Sequence, residues 1–368
     1  MFRKKMMIPI SLLALLVVSG CLYLGHEKFG RLPEGKRLER ISRSPNYENG
    51  TFRNRVPIEH IVEGGIGISG MLKFLFRDGD SLKPSGQLPV VKTDLRSLDP
   101  DADVVIWLGH SSYFVQLGGK SILIDPVFSD HASPVFFSTR AFEGSNLYTA
   151  ADMPPIDYLL ISHDHWDHLD HATVTSLLPK VRHVVTGLGV GEHFARWGFP
   201  EDKVHELDWD DELRLEDGLS IHVLTARHFS GRLFDRNRTL WVSFALETPS
   251  RRVFYSGDSG YGPHFKEIGE RFGGFDLVML DSGQYNEAWK YVHMMPEQAA
   301  RAAEDLQAEA AMPSHAGRFS IAYHAWDDPF QRFAKASEGR SYRLVTPRIG
   351  ETVDLENRRQ AFANWWER

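Results

Sequence analysis

Short runs of apolar residues, most of them followed by polar residues, recur along the chain and predict strands. Runs of about four to eight residues rich in Val, Ile, Leu, Phe and Tyr are typical of buried strands. We predict strands over residues 104–108, 113–117, 121–124, 157–162, 183–186, 219–224, 240–247, 252–255, 277–280, 310–314 and 342–345. Gly118–Gly119 separates the second and third of these runs, which predicts a hairpin.

Helical segments are predicted between these strands, over residues 172–178, 191–197, 263–272 and 296–308. Asp170 lies where an N-cap is expected for the first helix, and Pro296 occupies the first turn of the last. Because strands alternate with helices in two halves of the chain, we expect an α/β sandwich with its helices outside the sheets.

Four side chains that can bind metal ions follow the predicted strand 157–162 within six residues: His163, His165, Asp167 and His168. Imidazole nitrogens and carboxylates suit zinc and neighbouring metals. Strand alternation would place residue 168 opposite the other three, so the chain must turn here for all four to converge. A polar loop without a bound ion is the alternative interpretation.

Three further predicted strands end at or near His228, Asp258 and His315. Ligands gather beyond the carboxyl ends of strands in open α/β architectures, so four such strand ends favour one common pocket. Seven ligands exceed what one zinc ion needs and predict two metal ions. We assign His163, His165 and His228 to one ion, Asp167, His168 and His315 to the other, and Asp258 to both. Two ions roughly 3.5–4 Å apart can activate a shared hydroxide, which favours hydrolysis.

These motifs resemble the metallo-β-lactamase superfamily, and within it the N-acylphosphatidylethanolamine-hydrolysing phospholipase D group and its bacterial relatives. The resemblance covers about residues 95–350, and its matching stretches are 107–110, 123–129, 132–134, 160–163, 257–261, 267–273 and 275–277. It implies an αββα four-layer sandwich with a dinuclear site at one edge, and two zinc ions, with iron or manganese as alternatives. It also implies a phosphodiesterase of phospholipase D type, in which a metal-bridging hydroxide attacks N-acylphosphatidylethanolamine-like glycerophospholipids.

The resemblance implies roles for individual side chains. Asp258 and Asp167 are expected to be catalytic as well as metal-binding, and His293 to contact the phosphate or transfer a proton. Trp166 takes the place of a substrate-contacting tyrosine, which keeps an aromatic wall but changes its polar group. His110 and Arg140 are weaker candidates for the same site.

The charge balance and particular residues argue against other partners and other members of the superfamily. Nucleic acid is excluded as a partner because 42 Lys and Arg stand against 49 Asp and Glu, a net charge of −7. His165 argues against flavodiiron proteins, which carry Glu there. Zinc β-lactamases with a Cys ligand do not fit, because the single Cys21 is far from the motif. A lactonase or sugar-phosphate lactone hydrolase remains the alternative enzyme, and a non-catalytic envelope metal-binding protein the alternative outside enzymes.

The N-terminus is typical of a bacterial lipoprotein signal. Three basic residues at positions 3–5 precede an apolar run over residues 8–18, and Cys21 follows. We therefore predict a signal peptide over residues 1–20, lipidation of Cys21 and a membrane-anchored protein of the bacterial cell envelope. Leu22 slightly favours the outer membrane. An ordinary signal peptide and an uncleaved anchor are the alternatives.

Two segments are predicted after the signal peptide. Residues 21–95 are interpreted as a tether and an extended strap against the domain, and residues 96–368 as the hydrolase domain. Within the tether, the apolar stretch 66–76 could contact a membrane surface, border the active site or pack on the sandwich. The sequence leaves the oligomeric state open.

Overall fold

The computed structural model describes residues 3–58, 80–215, 218–232 and 235–367. A small hairpin of β1 (Tyr47–Glu48) and β2 (Thr51–Phe52) precedes two larger sheets. The first larger sheet contains β3 (Val104–Trp107), β4 (Tyr113–Leu117), β5 (Lys120–Ile124), β6 (Ile156–Ile161), β7 (Val181–Gly187), β8 (Val204–Leu207) and β16 (Thr352–Asp354). The second contains β9 (Glu212–Arg214), β10 (Ser220–Leu224), β11 (Ser243–Glu247), β12 (Arg252–Tyr255), β13 (Leu277–Asp281), β14 (Ala310–Ser314) and β15 (Arg343–Leu344).

Each sheet is antiparallel in one half and parallel in the other. The strand orders are β16-β3-β4-β5-β6-β7-β8 and β15-β14-β13-β12-β11-β10-β9, with parallel pairing from β5 to β8 and from β12 to β15. Parallel neighbours need crossover connections, and helices provide most of them. The helices are α1 (Arg3–Leu24), α2 (Gly35–Ile41), α3 (His171–Leu177), α4 (Gly191–Arg196), α5 (His264–Phe272), α6 (Pro296–Asp305) and α7 (Asp328–Ser337).

Three apolar clusters fill the space between these layers. The largest lies between the two sheets and includes Trp107 and Leu246. A second cluster packs α3 and α4 onto the first sheet, through Val174 among others, and a third packs α5 and α6 onto the second sheet, through Phe265. The predicted four-layer αββα sandwich is confirmed.

Most predicted elements agree with the structure to within two residues at each end. The exceptions are one strand and one helix. The strand predicted over 240–247 begins only at Ser243, because Leu240 and Val242 donate their backbone hydrogen bonds to Leu188 and Ser162 in the other half of the sandwich. The helix predicted over 296–308 ends at Asp305. Within the sandwich, β8, β9, β16 and α7 were not predicted, and before it neither were α1, α2 and the hairpin of β1 and β2.

The segment before the sandwich forms short helices and a hairpin instead of the extended strap that the sequence suggested. Residues 27–55, which we call the N-terminal strap, bury Phe29, Ile41 and Phe52 against the domain. Cys21 is exposed near the end of α1, and within the described residues no helix has the length and apolar character needed to cross a membrane. The apolar stretch 66–76 lies outside the described residues.

Candidate metal centre

The side chains of the site lie at or beyond the carboxyl ends of strands from both sheets. His163 follows β6 of the first sheet, and Asp258 and His315 follow β12 and β14 of the second. The chain does turn after His163, since the amide groups of His168 and Leu169 both donate to the carbonyl of His165. Asp170 then caps α3 by accepting from the amide of Ala172, as predicted.

Three imidazoles and one carboxylate form the first ligand group. His165 Nδ1 lies 2.8 Å from His163 Nε2 and 3.2 Å from His228 Nε2. Asp258 Oδ2 lies 3.7 Å from His163 Nε2 and 3.6 Å from His228 Nε2. These four atoms are within 4.8 Å of one another, so they can surround a single cation.

The second ligand group lies on the other side of Asp258. Asp167 Oδ2 is 3.0 Å from His315 Nε2 and 3.6 Å from His168 Nε2, and Asp258 Oδ2 is 3.2 Å from His168 Nε2. The structure thus brings all seven predicted side chains together, with Asp258 between the two groups. His110 joins them, its Nε2 lying 3.0 Å from Asp167 Oδ2.

The buried polar atoms fit two metal ions. His168 Nε2 and Asp258 Oδ1 are buried and have no hydrogen-bond partner among the described residues. Buried polar atoms are normally paired, so unpaired atoms that converge with other donors indicate cation ligands. The imidazole and carboxylate set suits zinc, iron or manganese.

Burial and charge set the protonation of the ligands. Burial lowers the pKa of His165 to about 4, and the pKa values of His163 and His228 well below the usual range, so these rings stay neutral. Burial alone would raise the pKa of Asp258, but the charge of His168 outweighs it and holds that pKa well below its usual range. Neutral imidazole and ionised carboxylate are the forms that bind metals, so His168, whose pKa burial alone would lower but the charge of Asp258 raises, must release its proton when a cation binds.

Asp125 at the end of β5 supports the first sheet's ligands. It is fully buried, and its Oδ2 accepts hydrogen bonds from His168 Nδ1 at 2.8 Å, Ser162 Oγ at 2.5 Å and Tyr255 OH at 2.7 Å. A carboxylate behind a ligating histidine fixes the ring and raises its basicity. The sequence offered two signals for Asp125, its position at a strand end and its place in the matching stretch 123–129, but it was not predicted as a site residue.

Asp281, the last residue of β13, supports the second sheet's ligands and was also not predicted. Its Oδ1 lies 3.1 Å from His315 Nδ1, and its Oδ2 lies 2.8 Å from His293 Nδ1. The predicted residue His293 therefore does reach the site, 4.0 Å from Asp258 Oδ2. Its role in substrate binding or proton transfer stays a prediction.

Two other predicted residues lie outside the ligand groups. The indole nitrogen of Trp166 donates to the carbonyl of Arg232 at 2.9 Å, and the guanidinium of Arg232 lies 3.9 Å from the ring centroid. Phe29 of the N-terminal strap packs edge-on against the same ring. Arg140 is exposed, and its described backbone bridge is to His131, not to a ligand.

The amino-acid sequence is similar to a known protein family and to individual proteins. A family model described as Beta-lactamase superfamily domain matches residues 120–316. An uncharacterised protein of Mycobacterium tuberculosis is 36% identical over 84% of this chain and 84% of its own length. N-acyl-phosphatidylethanolamine-hydrolyzing phospholipase D 1 of Caenorhabditis elegans is 33% identical over 68% of this chain and 76% of its own length.

One further protein is similar to a shorter stretch of the sequence, and one solved structure is similar in fold. Outer membrane protein RomA of Klebsiella pneumoniae is 60% identical over 102 residues, which are 28% of this chain and 77% of that protein. The solved structure of an isothiocyanate hydrolase from Delia radicum gut bacteria aligns with a TM-score of 0.55 at 18% identity. That alignment covers 71% of this chain and 100% of the hydrolase, and it shows the shared fold.

Proposed function

The chain belongs to the β-lactamase superfamily of metal-dependent hydrolases, and on that premise we propose that it is a phosphodiesterase of phospholipase D type. Its substrates would be N-acylphosphatidylethanolamine-like glycerophospholipids. The placement of Asp258 between two ligand groups carries the proposal, because a carboxylate reached by both groups could help to hold two cations, and a pair of cations can activate water for phosphodiester hydrolysis. The Caenorhabditis elegans relative supports the lipid as substrate.

Different side chains would hold the cations and transfer the proton in this reaction. Asp258 and Asp167 would hold two divalent cations, zinc in this proposal, and the neutral ring of His165 would bind one of them. When bound, such cations would supply an activated water and neutralise charge on the phosphate. Water adds to phosphorus while the bond to the N-acylethanolamine oxygen breaks. His293, bonded through Nδ1 to Asp281, supplies the proton that this oxygen takes, and the proton that the water loses restores His293.

We also propose that the protein is a lipid-anchored component of the bacterial cell envelope. The Klebsiella pneumoniae relative is named as an outer membrane protein. Exposed apolar side chains occur on α1, among them Leu13 and Leu22, and a second exposed pair is Phe136 and Phe137. Tyr23 OH and Lys28 Nζ both bond to the carbonyl of Pro134, which places Cys21 near that pair.

The test offers metal-loaded protein three substrates: bis-p-nitrophenyl phosphate, N-acylphosphatidylethanolamine in mixed micelles and an acyl lactone. We expect turnover of both phosphodiesters. His163→Ala should lower it about 10³-fold or more, since a cation ligand is lost. His183→Ala is the matched control, because His183 stacks on Tyr158 away from the ligand groups.

The outcomes separate the alternatives. Turnover of the lactone alone would make the protein a lactonase and would overturn the proposal. A folded His163→Ala variant with full phosphodiesterase activity would remove the metal centre from the reaction. Folded, metal-loaded protein without activity on any of the three substrates would favour a structural role for the metals.

A further inference from the structure

The N-terminal strap, residues 27–55, lies outside the stretch that the family model matches, yet it is connected to both loops that carry the histidines of the first group. One contact is made by Asn54 to His228, and the other runs through His193 to Asp164, which lies between His163 and His165. The strap therefore belongs to the surroundings of the metal centre and is not only a connection to the N-terminus.

Asn54 pairs with the backbone of His228 as a neighbouring strand would. Its Oδ1 accepts from the amide of His228 at 3.0 Å, and its Nδ2 donates to the carbonyl of His228 at 2.8 Å. Trp241 Nε1 also donates to Oδ1, at 3.2 Å, which fixes the orientation of the Asn54 amide. Both backbone groups of one ligand residue are thus held by a single side chain.

The ring of His228 has one further restraint. Its Nδ1 lies 2.9 Å from the carbonyl of Val292, so Nε2 faces His165 and Asp258. With the backbone held by Asn54 and the far ring nitrogen held by Val292, the residue has little freedom to swing out of the ligand group. Loss of the Asn54 contact would release the backbone half of that restraint.

The second contact holds the turn at residues 163–168. The amide of Arg31 donates to His193 Nδ1 at 3.1 Å, and His193 Nε2 lies 3.2 Å from Asp164 Oδ2. Gly30 allows this approach, because a Cβ atom at that position would lie 1.9 Å from His193 Nδ1. Arg232 adds a parallel connection by donating to the carbonyls of Lys28 and Asp164.

We propose that Asn54 is a positioning residue for His228, and that through it the N-terminal strap sets the affinity of the first ligand group for its cation. This inference rests on the ligand role of His228 in the proposed function, but not on the identity of the substrate. Groups that orient a metal ligand typically contribute about 10–100-fold to metal affinity. Asn54 acts in that way on the backbone of its ligand.

The experiment measures zinc binding by competition with a chromophoric chelator, using full-length protein. We expect Asn54→Ala to weaken one of two zinc sites by about 10–100-fold and to leave the other site unchanged. Asn46→Ala is the matched control, since Asn46 also joins the strap to the domain, through Asp208 Oδ1 at 2.9 Å. It should bind both ions as the wild type does.

Asn54→Asp provides a second variant if the alanine variant does not fold. It keeps the oxygen that accepts from His228 and Trp241 but loses the donor to the His228 carbonyl, so we expect an intermediate loss of affinity. Unchanged affinity in either folded Asn54 variant, or an equal loss in Asn46→Ala, would overturn the proposal. Because no substrate is used, these outcomes are independent of the phosphodiesterase test.

Discussion

At the scale of single residues, the site consists of ligands and of carboxylates that orient them. Two buried carboxylates bond to histidines of the ligand groups. They are Asp125 in the first sheet and Asp281 in the second. Asp281 binds two imidazoles at once, one of a ligand and one of the proposed proton donor. In the proposed function, it would therefore connect metal binding to proton transfer.

Replacing Asp281 by Asn should show whether this residue orients the histidines of the site or only stabilises the fold. Asn offers a single acceptor oxygen, so one of His293 and His315 would face an amide NH₂ group in place of a carboxylate oxygen. We expect kcat/KM for bis-p-nitrophenyl phosphate to fall about 10–100-fold, with weaker binding of one zinc ion. Steady-state kinetics and metal analysis on the same preparation provide the measurement.

Asp276→Asn is the control for this change. Asp276 precedes the same strand, but it bonds to the Arg252 amide and the Arg251 guanidinium and to no ligand. It should retain wild-type kinetics. Equal activity of the Asp281 and Asp276 variants would remove the proposed role of Asp281.

The sequence predicted the seven side chains that the structure brings together, and it missed the carboxylates beside them for a physical reason. His163 to His168 show a dense pattern that packing cannot explain, and His228, Asp258 and His315 follow or end recognisable strands. Asp125 and Asp281 are single carboxylates without such a pattern. Their partners come from other strands, so their role is visible only when the strands are side by side.

At the scale of elements, the turns that follow the strands are crowded. Gly283, two residues beyond β13, touches the backbone of the loop after β14: a Cβ atom there would lie 1.9 Å from the carbonyl oxygen of His315. Contacts below 3.0 Å with backbone atoms force a shift of the chain. The close approach of these two loops brings His315 to Asp281.

Gly283→Ala should therefore displace His315. We expect the free energy of unfolding to fall by about 1–3 kcal/mol, the usual cost of overpacking, and one zinc site to be weakened. Chemical denaturation together with zinc titration tests both effects. Gly86→Ala is the control, because a Cβ atom at Gly86 meets nothing within 4 Å. Wild-type zinc binding in Gly283→Ala would contradict this account of the turn.

Element prediction succeeded where the local pattern and the tertiary contacts agree. The run 252–255 is a strand by pattern and is paired on both sides, so its bounds were predicted without error. Among the described residues β16 pairs only with β3, and α7 lies near the end of the domain; neither shows a long apolar run. The boundary at Ser243 depends on backbone bonds to the opposite half of the sandwich, which no local pattern shows.

At the scale of the whole molecule, exposed apolar side chains gather on one surface. Phe136 is 82% exposed and Phe137 55% exposed, and the nearby carbonyl of Pro134 is bonded to Tyr23 and Lys28. Cys21 lies two residues before Tyr23. If Cys21 carries lipid, the bilayer lies next to the two phenylalanines, and burying them in its interface stabilises that orientation.

A dye placed at position 136 tests this orientation directly. Cys21 is the single cysteine and lipidation would block its thiol, so Phe136→Cys in the lipidated protein leaves one thiol to label with an environment-sensitive fluorophore. We expect its emission to shift to the blue when vesicles of phosphatidylcholine and phosphatidylethanolamine are added, because the label enters an apolar environment. Val56→Cys is the control, at a side chain that is 37% exposed in the N-terminal segment. A label at position 136 that stays in water while the protein floats with the vesicles would show that the membrane contacts another surface.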